Sequence, residues 1–413
     1  MFFARKPVLV MAFSMWMSSM AGFRSPAVNS EVLGGLSYMR IVSAEVIPLR
    51  IPKKTAFKVA YATRTAAVSL LLRLETDDGH VGWGESLPVK EITGEERDKV
   101  FAALARWAAE NLPGRDPFDQ EALRLRLHEL HDMPSAQCAV DTALWDIRGQ
   151  AMGRSLRQLL GAAREKHRAS FSIGIKGLEE TIQEASGLLK QGFRDIKVKI
   201  GLDLDSDVVR VQALRERLGT DWKLYLDANQ GYSAREALEL VRRLTGLGVE
   251  FIEQPVKASD LDSLSMVTRE SPIPICADEA VKDAASLVPI IQRRAAHMVN
   301  VKLQKCGGPS EAALLVRMAE AAGMKAMVGC MIESRVGITA GLSLALGLDN
   351  VRYIDLDGAL DLADDVVAAD TGAQYADGYQ LLAEGPGLGI RVDSDSVRRN
   401  LDVELARPSG YRF

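Results

Sequence analysis

Charged residues end five successive short apolar runs in the middle of this sequence. In order these residues are Lys199, Asp227, Glu253, Asp278 and Lys302, at intervals of 24 to 28 residues. One strand, its return helix and two loops need about that length, so we expect each charge at the same end of successive parallel strands. Three carboxylates that converge there would repel one another without a hard divalent cation, and Mg²⁺ is the default. The sequence therefore predicts a magnesium site.

Acids at strand ends can also serve only to cap the helices that follow them. One acid alone would favour that interpretation, whereas Asp227, Glu253 and Asp278 in consecutive units favour a metal. Asn229 and Glu279 stand next to these acids in "DANQG" and "ADE". We therefore predict that Asn229 and Glu279 support the metal ligands from behind.

Two lysines flank the predicted metal site. Lys199 and Lys302 each follow an apolar run, and an inward lysine beside a cation and another lysine should have a depressed pKa. A depressed pKa suits proton transfer near neutral pH. Lys197 shares a strand face with Lys199 and could supply the repulsion. The alternative is an ordinary surface lysine, but a pair of lysines across one metal site favours catalysis.

A second acidic pair ends the last strand candidate. Asp355 and Asp357 in "YIDLD" lie two residues apart and therefore on one face, away from the metal. They suggest a site for a substrate ammonium, and the alternative is a solvated loop or helix cap. We further predict that Ile332, in "GCMIES", and Ser172, in the first barrel strand, contact the substrate.

The elements that must position these residues are predicted to form two domains. Strand–helix alternation with eight strand candidates predicts an α/β structure, a (β/α)₈ TIM barrel over residues 166–374. Residues 39–165 read as a smaller α+β domain, completed by about 375–413. Residues 1–38 resemble a secretory signal, or are an over-extended start before Met39.

Composition narrows the function. The 413 residues carry a formal charge of −4, which argues against a nucleic-acid or anionic-membrane surface. Four cysteines lie far apart without a C-x-x-C spacing, so we expect buried thiols and no zinc site. We expect a cytoplasmic protein that binds no nucleic acid and no membrane; export to the periplasm is the alternative if residues 1–38 are a signal peptide.

Together these motifs resemble the enolase superfamily, muconate-lactonizing subgroup. The Lys-x-Lys pair, "DANQGY", "EQP", "ADE" and "NVKLQKCGG" follow the order and spacing of that subgroup, and the resemblance covers roughly residues 40–392. Within the subgroup, the Asp-x-Asp pair and "GCMIES" are similar to dipeptide epimerases, of which the L-Ala-D/L-Glu epimerases are one group.

The resemblance implies an enolase-like modified barrel under a capping domain and a homo-oligomer. It implies one Mg²⁺ per subunit on the three acids and a dipeptide whose α-ammonium is held by Asp355 and Asp357. One of Lys199 and Lys302 would remove the α-proton of the C-terminal residue, and the other would return it on the opposite face. Lys197 would help to stabilise the enediolate between these steps.

One departure bears on specificity. The polar stretch Lys53–Thr65 is predicted as a loop, either a lid or a flexible connection. Related Ala-Glu epimerases place an arginine there, whereas this chain has Ala62, with Arg64 two residues on. We therefore expect a neutral or apolar C-terminal side chain against Ile332, with Arg64 as a substitute anchor if the side chain is acidic.

Other functions use the same fold. An o-succinylbenzoate synthase, N-acylamino acid racemase or muconate cycloisomerase would act on substrates without an ammonium, which leaves Asp355 and Asp357 unexplained. A non-catalytic binding protein of barrel fold is a further alternative, but the complete set of metal and lysine positions argues against it.

Overall fold

The computed structural model describes residues 38–59 and 62–406, so the expected signal peptide or over-extended start falls, except for Tyr38, outside the described residues. Within the described residues no helix has the length and apolarity needed to cross a bilayer. All four cysteines are buried and free of disulfides, as their spacing predicted.

The chain begins with a three-stranded antiparallel sheet. Its strands are β1 (Ile41–Lys58), β2 (Thr63–Thr76) and β3 (Val81–Ser86). Five helices follow: α1 (Lys90–Thr93), α2 (Arg97–Asn111), α3 (Gln120–Leu127), α4 (Pro134–Met152) and α5 (Leu156–Leu160). One face of the sheet packs on α2 and α4 through alternating leucines such as Leu70, Leu72 and Leu74. This is the expected α+β architecture.

The loop predicted over Lys53–Thr65 is mostly strand. β1 continues to Lys58, and its pairing with β2 resumes as Phe57↔Arg64 and Lys58↔Thr63 after an irregularity. The prediction failed because β-pairing across a hairpin can extend a polar segment that has no apolar pattern of its own.

Eight parallel strands form the barrel. They are β5 (Ser170–Ile173), β6 (Asp195–Lys199), β7 (Lys223–Asp227), β8 (Val249–Glu253), β9 (Ile275–Ala277), β10 (Met298–Lys302), β11 (Lys325–Gly329) and β12 (Val351–Asp355), hydrogen-bonded in sequence order. Their helices are α6 (Leu178–Lys190), α7 (Leu204–Leu218), α8 (Ala234–Leu244), α9 (Leu261–Glu270), α10 (Ala284–Arg293), α11 (Leu303–Cys306), α12 (Pro309–Ala321) and α13 (Arg335–Gly347). This alternation confirms the predicted barrel.

Side chains join the first and last barrel strands. Among the described residues the backbone ladder runs from β5 to β12, and Ser170 Oγ then donates to Ile354 O at 2.7 Å. Ser172 makes a similar bridge to the end of β12, described below. The barrel is therefore nearly closed, and the junction between β5 and β12 lies beside the predicted ammonium site.

The C-terminal residues form a separate three-stranded sheet and then return to β1 of the first sheet. β13 (Ala373–Ala376) and β14 (Tyr379–Leu382) pair with the short strand β4 (Lys166–Arg168), and α14 (Ser394–Arg399) and α15 (Val403–Ala406) follow. Asp402 N then donates to Pro48 O in β1 at 2.9 Å. The domain boundaries at 165 and 374 stay a prediction.

Candidate active site

The barrel interior is layered because side chains alternate along each strand. At the N-terminal end, Tyr225 and Phe251 stack with ring centroids 4.6 Å apart. Two residues further along the same strands stand Asp227 and Glu253, which are fully buried. The apolar layer thus floors the barrel, and the charged layer above it lies at the C-terminal mouth.

Three carboxylates meet in that layer, as predicted. Oxygens of Asp227, Glu253 and Asp278 all lie within 4.8 Å of one another, and each residue is at most 1% exposed. Burial and the neighbouring Asp227 raise the pKa of Glu253 to about 8. Burial opposes the ionisation of Asp278, but Lys302 and Lys305 hold its pKa well below the usual range. Three buried oxygen donors around one point suit a hard divalent cation.

The residues predicted behind the acids are in place. Asn229 N donates to Asp227 Oδ1 at 2.9 Å, and Asn229 Nδ2 donates to Glu279 Oε1 at 3.2 Å. Asn229 Oδ1 and Glu279 Oε2 are buried and have no hydrogen-bond partner among the described residues. Burial and Asp278 raise the pKa of Glu279 to about 7. Buried oxygens without partners beside three carboxylates fit the coordination of a cation or of its water ligands.

The two predicted bases lie on opposite sides of the barrel. Lys199 ends β6 and Lys302 ends β10, with β7, β8 and β9 between them on one side. Lys199 Nζ lies 2.5 Å from Asp227 Oδ2, and Lys302 Nζ lies 2.8 Å from Asp278 Oδ2. Both lysines line one cavity at the barrel mouth. The structure thus brings the two amines to opposite sides of the carboxylates.

The pKa of Lys302 reflects the carboxylates around it. Burial would lower it, but the carboxylates of Asp278 and Glu253 raise it well above the usual lysine value. Here Lys302 itself balances the acids, whereas the expected depression is for a lysine beside a cation.

Lys197 corrects the prediction that Asp355 lies away from the metal ligands. Lys197 is 1% exposed, forms an ion pair with Asp355, and places its Nζ 3.3 Å from Glu253 Oε2. Burial would lower the pKa of Lys197, but Asp355, Glu253 and Asp227 raise it. Strands β6 and β12 lie on either side of β5, so Lys197 on β6 can reach Asp355 at the end of β12. Asp355 therefore belongs to the charged layer.

Asp357 stands apart from that layer. Ser172 joins the two acids, since its Oγ donates to Asp355 Oδ1 at 2.8 Å and its backbone N donates to Asp357 Oδ2 at 2.7 Å. Burial and the adjacent Asp355 raise the pKa of Asp357 to about 6. The charge of Asp355 is met by Lys197, whereas Asp357 receives neutral donors.

The mouth cavity has an apolar outer wall. It is lined by Val59, Val89 and Ile92 from the first domain and by Ile332 after β11. Among the described residues Arg64 lines it as well, whereas Ala62 does not. Arg64 Nη2 lies 2.5 Å from Glu91 Oε2, so a carboxylate of this chain already binds the guanidinium.

Sequence analysis missed three residues of the site. Lys305, just beyond Lys302 in α11, contacts Asp278 and donates to Asn300 O at 3.1 Å. Asn300 Nδ2 donates to Glu253 Oε1 at 2.7 Å, and its position two residues before Lys302 could have revealed its inward direction. Glu91, the partner of Arg64, carried no sequence signal, since nothing in its spacing points to that contact.

Two family models and a characterised relative match most of this chain. Residues 41–161 match the mandelate racemase / muconate lactonizing enzyme N-terminal domain, and residues 180–396 match the enolase C-terminal domain-like model. The chain is 37% identical over 359 residues to the L-Ala-D/L-Glu epimerase of Bacillus subtilis, covering 85% of this chain and 97% of the relative.

Two similar solved structures hold ligands. The dipeptide epimerase from Enterococcus faecalis complexed with Mg and L-Leu-L-Tyr has a TM-score of 0.82 at 34% identity, covering 85% of this chain and 99% of that one. The dipeptide epimerase from Methylococcus capsulatus complexed with Mg and L-Arg-D-Lys has a TM-score of 0.81 at 36% identity, covering 86% and 100%.

Proposed function

Since the chain belongs to the mandelate racemase / muconate lactonizing enzyme family of the enolase superfamily, we propose that it is a Mg²⁺-dependent dipeptide epimerase. It would invert the α-carbon of the C-terminal residue. One observation carries the proposal: Lys199 and Lys302 line one cavity from opposite strands, with three carboxylates on the side between them. Bases on both sides of a bound α-carbon suit inversion.

Asp227, Glu253 and Asp278 are the residues that would hold Mg²⁺. Their clustered oxygens and the buried oxygens of Asn229 and Glu279 beside them support this assignment. The bound ion would supply positive charge that makes a proton next to a carboxylate more acidic.

The lysines would move the proton. One of Lys199 and Lys302 takes it through Nζ on one face of the α-carbon, and the other donates its own proton on the opposite face. Lys197, buried in the charged layer, keeps a positive charge near the carboxylate where negative charge develops in the enediolate. Asp355 would position Lys197 through their ion pair.

Asp357 would bind the α-ammonium of the dipeptide. Lys197 already neutralises Asp355, so the acid left for a cationic substrate group is Asp357, which lines a second cavity beside the first. Substrates of an o-succinylbenzoate synthase, a muconate cycloisomerase or an N-acylamino acid racemase carry no ammonium there. Those functions would leave Asp357 without a role.

The C-terminal side chain would be neutral or apolar. The wall formed by Val89, Ile92 and Ile332 favours such a group. Arg64 would bind an acidic side chain only after giving up Glu91, which lies 2.5 Å away.

Deuterium incorporation at the α-carbon in D₂O tests the proposal with L-Ala-L-Phe, L-Ala-L-Leu and L-Ala-L-Glu. We expect incorporation into all with a preference for Phe or Leu. A preference for Glu above about tenfold would contradict the apolar wall and implicate Arg64. No incorporation into any dipeptide would refute the function.

Asp357→Asn tests the ammonium assignment. We expect KM for dipeptides to rise by about 10–150-fold, since a charge-assisted contact contributes about 1.5–3 kcal/mol. KM for the N-acetylated dipeptides, which lack the charge, should change much less. An equal change for both substrates would contradict the assignment.

A further inference from the structure

A second cavity opens beside the mouth cavity. It is lined by Ser172, Asp357, Asp361 and Lys53, and it shares the walls Phe57, Met331 and Ile332 with the mouth cavity. The amino group and the side chain of a residue are attached to the same carbon. A dipeptide whose ammonium meets Asp357 therefore directs its N-terminal side chain into or along this second cavity.

An ion pair forms part of the lining of the second cavity. Lys53 Nζ lies 3.0 Å from Asp361 Oδ2, and the two side chains are 5% and 17% exposed. Thr55 Oγ1 donates to the same carboxylate oxygen at 2.7 Å, and Lys53 Nζ lies 5.6 Å from the centroid of the Phe57 ring. Lys53 belongs to β1, whereas Asp361 ends the 3₁₀ turn Gly358–Asp361 just after Asp357.

Another part of the cavity lining is charged and paired as well. Lys176 and Glu184 both line the second cavity and form an ion pair with each other. A charged N-terminal side chain would meet walls whose charges already cancel. It would gain a partner only by breaking one of the two pairs, which are partly buried.

We propose that the second cavity is the subsite for the side chain of the N-terminal residue, and that the Lys53–Asp361 pair makes it select an uncharged side chain. This inference rests on the proposed function. The pair is a specificity device: without Lys53, Asp361 becomes a partner for a cationic side chain, and without Asp361, Lys53 becomes a partner for an anionic one.

Opposite shifts in N-terminal preference test the subsite. We measure kcat/KM for deuterium incorporation into L-Ala-L-Leu, L-Lys-L-Leu and L-Glu-L-Leu, with Glu in place of the C-terminal Leu if the wild type prefers it. The wild type should prefer Ala. Lys53→Met should raise the Lys/Ala ratio by about tenfold, and Asp361→Asn should raise the Glu/Ala ratio similarly.

Lys54→Met is the matched control. Lys54 neighbours Lys53 in β1 but is exposed, donates to Leu360 O at 3.2 Å, and lies outside the cavity lining. It removes the same charge, so it should leave both ratios unchanged. Lys53→Gln, which keeps a hydrogen-bond donor toward Asp361, replaces Lys53→Met if the latter does not fold.

Each outcome either supports or overturns the proposed subsite. Ratios are taken within each variant, so a general loss of activity cancels. Unchanged ratios, an equal shift in the Lys54→Met control, or variants inactive with all three dipeptides would each overturn the subsite. A wild type that incorporates no deuterium into any dipeptide would instead refute the proposed function itself.

Discussion

Two groups of buried carboxylates in this protein solve the same electrostatic problem differently. The mouth carboxylates Asp227, Glu253 and Asp278 lie beside lysines that could exchange protons. The seam carboxylates, by which we mean Glu85, Asp141 and Asp146, come from β3 and α4 and accept hydrogen bonds from backbone N–H groups.

Two of the seam carboxylates, Glu85 and Asp141, fasten the first domain to the barrel. Glu85 accepts from Ser334 N at 3.1 Å and from Gly337 N at 3.0 Å, at the start of α13. Asp141 accepts from Ser310 N at 2.7 Å in the first turn of α12. Each satisfies donors that a helix N-terminus leaves without partners, and the helix dipole favours the negative charge there.

The difference lies in the partners. Burial raises the pKa of Glu85 and of Asp141, as it does for Glu253. Burial and a shifted pKa therefore do not separate the two groups. A backbone N–H is fixed and contributes only stability. A lysine, in contrast, can exchange a proton, and a bound cation can exchange a ligand. Four predictions test this contrast.

The largest effect is expected at the lysines of the mouth. Lys199→Ala and Lys302→Ala should each reduce epimerisation by about 10²–10⁴-fold or more, because each removes one of two proton-transfer groups. Either variant can still exchange the α-proton of one substrate epimer, which NMR in D₂O detects. Lys223→Ala is the control and should epimerise normally, because Lys223 begins β7 at the end away from the barrel mouth. Normal epimerisation by Lys302→Ala would contradict the two-base assignment.

The metal should distinguish the two carboxylate groups next. Exhaustive chelation should abolish activity and Mg²⁺ should restore it. Glu253→Gln should weaken Mg²⁺ binding in isothermal titration and lower turnover together, because it removes a ligand charge. Glu85→Gln should leave Mg²⁺ affinity unchanged. Full activity after chelation, or equal losses of affinity in both variants, would remove the contrast.

Stability should respond to the seam instead. Glu85→Ala leaves the buried donors of Ser334 and Gly337 without an acceptor, which should lower the free energy of unfolding by about 3 kcal/mol. Glu91→Ala removes a partly exposed ion pair with Arg64 and should cost under about 1 kcal/mol. Urea unfolding measures both. Equal costs would show that Glu85 is not a structural tether.

The smallest effect concerns pH. Burial raises the pKa of Asp141 to about 6, against the hydrogen bonds from Ser310, which lower it. A carboxyl whose folded pKa is raised contributes stability that is lost as pH rises through about 6. Asp141→Asn does not titrate, so its melting temperature should approach that of the wild type as pH rises from about 4 to about 7. A gap that is constant or widens with pH would contradict this.

Several features of the site could be predicted because they are local. The strand ends that carry Lys199, Asp227 and Glu253 follow from apolar runs and from a period of two, which any parallel strand obeys. The barrel followed from the alternation of elements. The seam carboxylates could not be predicted, since an acid whose backbone donors lie far along the chain leaves no local pattern.

The sequence by itself determined which residues stand at the barrel mouth, because a repeated strand–helix length brings them to one end. Only the tertiary structure decided their partners. Lys197 meets Asp355 across 158 residues, Arg64 is bound by Glu91, and Lys53 by Asp361. Such pairs depend on how the barrel closes and how the first domain packs on it. Partner choice therefore sets the charge of each cavity, and with it the substrates that we propose.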